Sequence, residues 1–182
     1  MKTLYLERSV GECRKGDWAE GLDLDGVGRI VVGMGPGSFA GVRAALAFAQ
    51  GYALGRPGVE VLGLPSPCAV AGGFFAAAPA DGRLTVVGDA RQGRLWIADF
   101  EGCRLLDGIR QIDRSELRPS GPESVVSPDD RRIGGLLRDT FGDRYLGERL
   151  PTSEGLRIFA EANPAALVRE PLPLYLNPAV RS

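Results

Sequence analysis

Apolar and polar positions change rhythm several times along the chain, and each change marks an element. Thr3 to Leu6 is a short apolar run that reads as a strand. Glu7 to Asp17 follows as a turn and a second, polar segment, and Gly21 to Gly28 as a loop with room for one helical turn. Arg29 to Gly33 carries the continuous apolar pattern of a strand buried on both faces. From Ser38 to Gly55 nearly every residue is apolar or small, over a length typical of a helix. Ser38 is placed as its N-cap, Gly55 ends it, and Pro57 lies just beyond. Glu60 to Leu64 reads as another strand. Ser66-Pro67 then caps an Ala-rich helix over Cys68 to Ala76, with a weak spot at Gly72-Gly73. Strand, helix, strand, helix predicts a parallel α/β unit.

The pattern changes across Ala77-Ala78-Pro79-Ala80-Asp81-Gly82, which divides a first lobe, residues 1–80, from a second, residues 81–182. Leu84 to Asp89 and Arg94 to Phe100 read as two strands, and Ala90-Arg91-Gln92-Gly93 joins them into an antiparallel hairpin. Cys103 to Leu106 and Ile109 to Ile112 could add strands. Pro119 to Pro122 is loop, Ser124 to Ser127 a short strand, and Arg132 to Phe141 a helix. Ser153 to Ala162 fits a helix with Ser153 as cap. The tail Pro171-Leu172-Pro173-Leu174-Tyr175-Leu176 is extended, since its prolines forbid a helix.

A helix that is apolar all round needs cover on every side. On the Ser38–Gly55 segment, Val42, Leu46, Ala49 and Ala53 fall on one stripe by i, i+4 spacing, and Ala45, Phe48 and Tyr52 on a neighbouring one. One stripe is expected to meet the lobe's own sheet and the other a partner helix. Gly41, Ala44, Ala45, Ala47, Ala49 and Gly51 permit close backbone approach. The alternative is that both stripes are internal core.

Composition narrows the chemistry. The chain's 182 residues suffice for one large domain or two small lobes. With 22 Lys and Arg against 23 Asp and Glu, it is a poor candidate for gripping a polyphosphate backbone alone. Arg131, Arg132, Arg138, Arg144 and Arg149 form a basic stretch, read as a solvated helix face because Asp129, Asp130 and Asp139 are interleaved. There is no histidine, which excludes Ser-His-Asp and Cys-His hydrolysis and every His-ligated zinc site. Cys13, Cys68 and Cys103 are few and scattered, as expected of free thiols in a reducing compartment. Charge interrupts the start too early for a signal peptide, and no apolar run reaches membrane-spanning length. These features predict a soluble, cytoplasmic protein.

The run Gly33-Met34-Gly35-Pro36-Gly37-Ser38-Phe39-Ala40-Gly41-Val42-Arg43 is the most informative stretch. Gly35 and Gly37 permit backbone angles closed to other residues, with Pro36 fixing φ between them, so strand turns tightly into helix. No Lys follows the glycines, so this is no phosphate-cradling P-loop. Gly35-Pro36-Gly37-Ser38-Phe39-Ala40 matches the dinucleotide fingerprint formally, yet the next strand ends Leu62-Gly63-Leu64-Pro65, without its acid. Ser38 lacks the flanks of a nucleophile elbow and has no His base. Among carboxylates, Glu7 ends the first strand, and Asp89 with Arg91 sits at the hairpin turn, read as shaping that turn and pairing on the surface. Trp18 and Trp96 are read as core or interface.

With these segments in place the chain resembles the TsaB (YeaZ) family, bacterial proteins required for threonylcarbamoyladenosine formation in tRNA. The resemblance rests on the Gly33–Arg43 turn, on Asp89-Ala90-Arg91-Gln92-Gly93 in the hairpin, and on Pro173-Leu174-Tyr175-Leu176. It covers most of residues 28–102 well and the remainder loosely. It implies the two-lobed actin-like/sugar-kinase (ASKHA, ribonuclease H-like) fold, an α/β architecture. It also implies a non-catalytic subunit without cofactor or metal. Such a subunit pairs with the enzyme TsaD through helices of the first lobe and is joined by the ATPase TsaE. By this resemblance the chain alone is expected to form a homodimer and to meet tRNA only indirectly. Older labels for the group are glycoprotease-like or peptidase-like, and the missing histidines argue against metallopeptidase activity.

The chain departs from the family pattern in two places. Glu7 stands where an Asp is usual. Between Cys13 and the strand at Arg29, the further strands and long helix usual in the family have no room, so the first lobe is expected to be truncated. That would leave the Ser38–Gly55 helix with an uncovered apolar side. The shortened lobe is also expected not to hold ATP in its cleft, which saturable binding in calorimetry would refute.

Overall fold

The computed structural model describes residues 2–10, 21–78 and 82–176. Cys13, Trp18 and the polar segment reaching Asp17 lie outside the described residues, as do positions 79–81 of the boundary. The first sheet has the order β1 (Lys2–Leu6), β2 (Val27–Gly33), β3 (Glu60–Leu64), β9 (Val168–Arg169). Its first three strands are parallel and β9 runs antiparallel to β3. The second sheet has the order β6 (Arg104–Asp113), β5 (Arg94–Glu101), β4 (Arg83–Arg91), β7 (Ser124–Ser127), β8 (Tyr145–Glu148). Its hairpins are antiparallel, whereas β4, β7 and β8 run parallel.

Four helices form the layers around these sheets: α1 (Phe39–Leu54), α2 (Ser66–Phe75), α3 (Asp130–Phe141) and α4 (Ser153–Ala162). Helix α1 covers the outer face of the first sheet, with Val42, Ala45, Leu46 and Ala49 on Ile30 and Val32. Helices α2 and α4 lie between the sheets. Ala69, Phe75, Leu156 and Phe159 there share one core with Val31 and Leu64 on one side and Val86, Trp96 and Phe100 on the other. Helix α3 closes the far face, placing Ile133, Leu137 and Phe141 on Val87, Leu95 and Val125. Both sheets are therefore buried on two faces, which is why their strands read as apolar runs rather than strict alternations.

The glycine pair read as a weak spot in α2 serves packing. A Cβ on Gly72 would lie 2.1 Å from the carbonyl oxygen of Gly155, and one on Gly155 would lie 2.0 Å from that of Ala69. The two helices cross backbone to backbone there. Helix α4 thereby ties residues 153–162 to α2 of the first lobe. Strand β9 then joins the first sheet. A division at residues 80 and 81 separates the two sheets in sequence, but the chain returns to the first lobe at its end.

Several boundaries differ from the sequence reading. Strand β2 begins at Val27, so the loop from Gly21 ends two residues earlier than expected. Ser66 is the first residue of α2 rather than part of a cap preceding it. Thr152, not Ser153, caps α4, accepting a hydrogen bond from the Gly155 N–H. The two strands expected around Asp107 form a single β6, in which Asp107 and Gly108 bulge out of the ladder with φ of 51° and 73°.

Candidate functional site

The tight turn between β2 and α1 is built as its glycines require. Gly35 (φ 88°) and Gly37 (φ 155°) flank a cis Gly35–Pro36 bond. The Ser38 hydroxyl accepts from the Gly41 N–H at 3.3 Å, so Ser38 is the N-cap expected. The segment after β1 folds tightly over this turn. The Ser38 N–H donates to the Ser9 carbonyl at 2.5 Å. A Cβ on Gly37 would collide with Ser9, and one on Gly41 would stand 2.0 Å from the Arg8 carbonyl oxygen. Gly37 and Gly41 are thus needed for close approach, a constraint invisible in sequence because Ser9 is 28 positions from Gly37.

Glu7 runs beneath this junction. Its Oε1 accepts from the Ser9 N–H at 2.7 Å and the Ser66 hydroxyl at 3.1 Å. Ser66 in turn accepts from the Gly35 N–H at 3.0 Å. The Glu7 N–H donates to the Ser153 hydroxyl at 3.2 Å. Glu7 Oε2 and Ser9 Oγ are buried with no hydrogen-bond partner among the described residues. Burial pushes the Glu7 carboxyl above its ordinary value, against the opposing pull of its hydrogen bonds to Ser9 and Ser66. Ser66 and Ser153, read from sequence as caps, are held instead by this network.

On the facing lobe, the hairpin turn places Asp89 at the centre of three guanidiniums. Arg114 Nη2 lies 3.1 Å from Asp89 Oδ1, with Arg132 at 3.8 Å and Arg91 at 3.9 Å. The Arg91 N–H donates to Asp89 Oδ1, so Asp89 does shape the turn as expected. The expected surface pair is corrected, however: the Asp89 side chain is only 6% exposed and is shared by three arginines. Its own N–H donates to Asp129 Oδ2 at 2.9 Å. Arg91 and Gln92 take positive φ, and Gly93 completes the two-residue turn at φ 76°. The basic stretch splits accordingly. Arg131 and Arg132 face the cleft, while Arg138 pairs with Asp130 and Arg149 bonds the Glu148 carbonyl. Arg114 and Arg132 were not legible as partners of Asp89, since they come from separate elements.

Between the two constructions lies a cleft of about 950 Å³. The Gly35–Ser38 turn walls it on one side and Asp89 with Arg91, Arg131 and Arg132 on the other. The extended tail crosses it. The Leu174 N–H donates to the Met34 carbonyl at 2.8 Å, and Gln111 Nε2 to the Leu176 carbonyl at 2.8 Å. Trp96 is buried core in this wall. Among the described residues, no three Cys, Asp or Glu side chains are grouped so as to hold a metal ion. No helix among them is long and apolar enough to cross a membrane.

Helix α1 settles which of its faces is open. Val42, Ala45, Leu46 and Ala49 are at most 4% exposed beneath the first sheet, so these four are internal and cannot meet a partner. Phe48 and Tyr52 pack partly against the same core, and Ala53 is half-buried. The exposed face is a third one, formed by Phe39, Ala40, Arg43, Ala47, Gln50 and Leu54. Leu54 is 89% exposed and Phe39 58%. The tail extends this face: the Tyr175 ring stands 5.6 Å from that of Phe39, and Arg43 lies over Phe39 at 4.6 Å.

Two sheets flanking a cleft, each with helices on both faces, define a two-lobed α/β fold. No family model and no curated protein matches the chain. Solved structures do match it. The structure of YeaZ from Pseudomonas aeruginosa aligns with a TM-score of 0.65 at 23% identity, over 86% of this chain and 78% of that one. A crystal structure of an uncharacterized protein with similarity to peptidase YEAZ, from the same organism, aligns with a TM-score of 0.64 at 23% identity, over 87% and 77%. The fold of this chain is the YeaZ fold.

Proposed function

We propose that the chain is a non-catalytic partner subunit of the tRNA threonylcarbamoyladenosine modification machinery, working in the cytoplasm. It would bind a TsaD-like enzyme, or a second copy of itself, through the exposed face of α1, with a TsaE-like ATPase joining the assembly. One observation carries this reading: a helix already covered on its inner side keeps Phe39, Ala40, Ala47 and Leu54 in solvent, beside Tyr175. Small residues along such a face let a second helix approach closely, and the flanking rings and Leu54 supply the apolar area. The YeaZ fold and the three sequence motifs support the pathway. The absence of histidine supports a non-catalytic role over a peptidase, because neither a His-ligated metal nor a His base can be assembled.

Co-purification with the TsaD-like protein of the same organism tests this reading. Ala47→Arg should abolish the complex and leave the fold intact, because Ala47 is exposed. A complex of unchanged mass would remove α1 from the interface. The short sequence between β1 and its parallel neighbour β2, residues 7–26, favours a second reading, an interaction protein of this fold outside the tRNA pathway. In that case the chain would self-associate through α1 yet fail to retain the TsaD-like protein.

A further inference from the structure

We propose that the extended segment of residues 171–176 is a releasable strap that fills the cleft as an internal ligand, and that its release opens a groove fitted to an extended apolar peptide. The segment runs from one lobe to the other. At its start Pro171 packs on the first sheet, where a Cβ on Gly63 would lie 2.5 Å from the Pro171 Cβ and 2.6 Å from Met34 Sδ. In its middle the Leu174 N–H donates to the Met34 carbonyl, and the Leu174 carbonyl oxygen stands 3.7 Å from where a Cβ on Gly35 would be. At its end Leu176 packs against the core shared by both sheets and accepts from Gln111 Nε2. Gln111 stands opposite Trp96 in the β5–β6 ladder, so this end belongs to the second lobe. Met34, Val70 and Trp96 line the cleft beside the segment and are buried. Leu172 and Tyr175 lie on its solvent side, 71% and 55% exposed.

A shortage of donors makes this segment detachable. Pro171 and Pro173 carry no N–H, so no ladder can form along its first half. Among the described residues three separate hydrogen bonds hold it: Leu174 to Met34, Gln111 to Leu176, and a long one of 3.5 Å from Gln50 Nε2 to the Pro171 carbonyl. Apart from Pro171, its side chains are exposed or only half-buried, so release takes little of the core with it. The same prolines keep the free segment extended, and it leaves and returns as one unit. The groove beneath has an apolar floor, a carbonyl acceptor at Met34 and a side-chain donor at Gln111. An extended peptide with an apolar side chain and a free N–H at the place of Leu174 matches it, main-chain bonds giving affinity and the floor giving selectivity. This inference is independent of the partner reading, which concerns the outer face of α1.

Two measurements on the full chain test it. In amide hydrogen exchange, the Leu174 N–H should exchange through local opening, on the order of a hundredfold faster than the Val31 and Val32 amides of β2 and unchanged by low urea. Gln111→Ala, which loosens the far end, should speed it several-fold. In the second measurement, Leu174→Pro removes the donor to Met34 and frees the strap. A labelled peptide of residues 170–176 should then bind this variant at least about tenfold tighter than it binds the parent, whose groove is filled by a tethered competitor. Gln111→Ala should bind it with intermediate strength, and the same peptide carrying Leu174→Pro should bind none of the three. Both variants should melt within about 3 °C of the parent, because neither side chain belongs to the fully buried core. A Leu174 N–H that exchanges no faster than the β2 amides would make the segment a fixed part of the fold and overturn the proposal. So would variants that bind the peptide no better than the parent does.

Discussion

Glu7 shows how one buried side chain ties distant segments together. Its carboxylate reaches under the Gly33–Ser38 turn and joins the segment after β1 to the start of α2, whose Ser66 in turn holds the Gly35 N–H. A Cβ on Gly33 would lie 1.9 Å from its Oε2, so the carboxyl fills the space beside β2. Its raised pKa makes the folded state bind a proton more readily than the unfolded chain. Glu7 therefore costs no stability below the ordinary glutamate range and increasingly destabilises as pH rises from there through its folded pKa. Glu7→Gln should raise the melting temperature at neutral pH, and the difference should vanish in acid. A variant less stable than the parent at every pH would show that the charge itself is needed. The sequence marked Glu7 as a carboxylate at a strand end, but its carboxylate accepts from Ser66, 59 positions away, and its N–H donates to Ser153, 146 positions away.

At the scale of elements, the neighbouring glycines of α2 should behave oppositely. Gly72→Ala forces a methyl group against the Gly155 carbonyl and should cost about 1–3 kcal/mol. Nothing lies within 4 Å of a Cβ on Gly73, so Gly73→Ala should stabilise by up to about 1 kcal/mol through helix propensity. Thr152→Ala should cost about 1 kcal/mol as a lost N-cap. Urea denaturation of the three variants measures all of these; equal effects at residues 72 and 73 would mean that α2 and α4 do not cross as described. Helices and strands were largely legible in sequence because both sheets are doubly covered and their strands stand out as apolar runs, although the caps of α2 and α4 were misplaced. The α2–α4 crossing was not, because a glycine contact across 83 residues leaves no local pattern. Nor was β9, whose two residues are too few to carry a period.

For the whole molecule, the question is which surface meets a partner. The apolar character of α1 was plain in sequence, but direction was not. With three faces apolar or small, spacing alone could not say that Val42, Ala45, Leu46 and Ala49 point inward and Ala47 outward. The distinction changes the experiment: a charge at Ala49 would disrupt the core and unfold the lobe, whereas a charge at Ala47 addresses the surface alone. The account depends most on the helix face, and light-scattering mass measurement of the chain mixed with its organism's TsaD-like protein tests it most directly. The account predicts a stoichiometric complex that Ala47→Arg dissolves into separately folded components; two components that elute apart at high concentration, with the unaltered chain monomeric throughout, would contradict it.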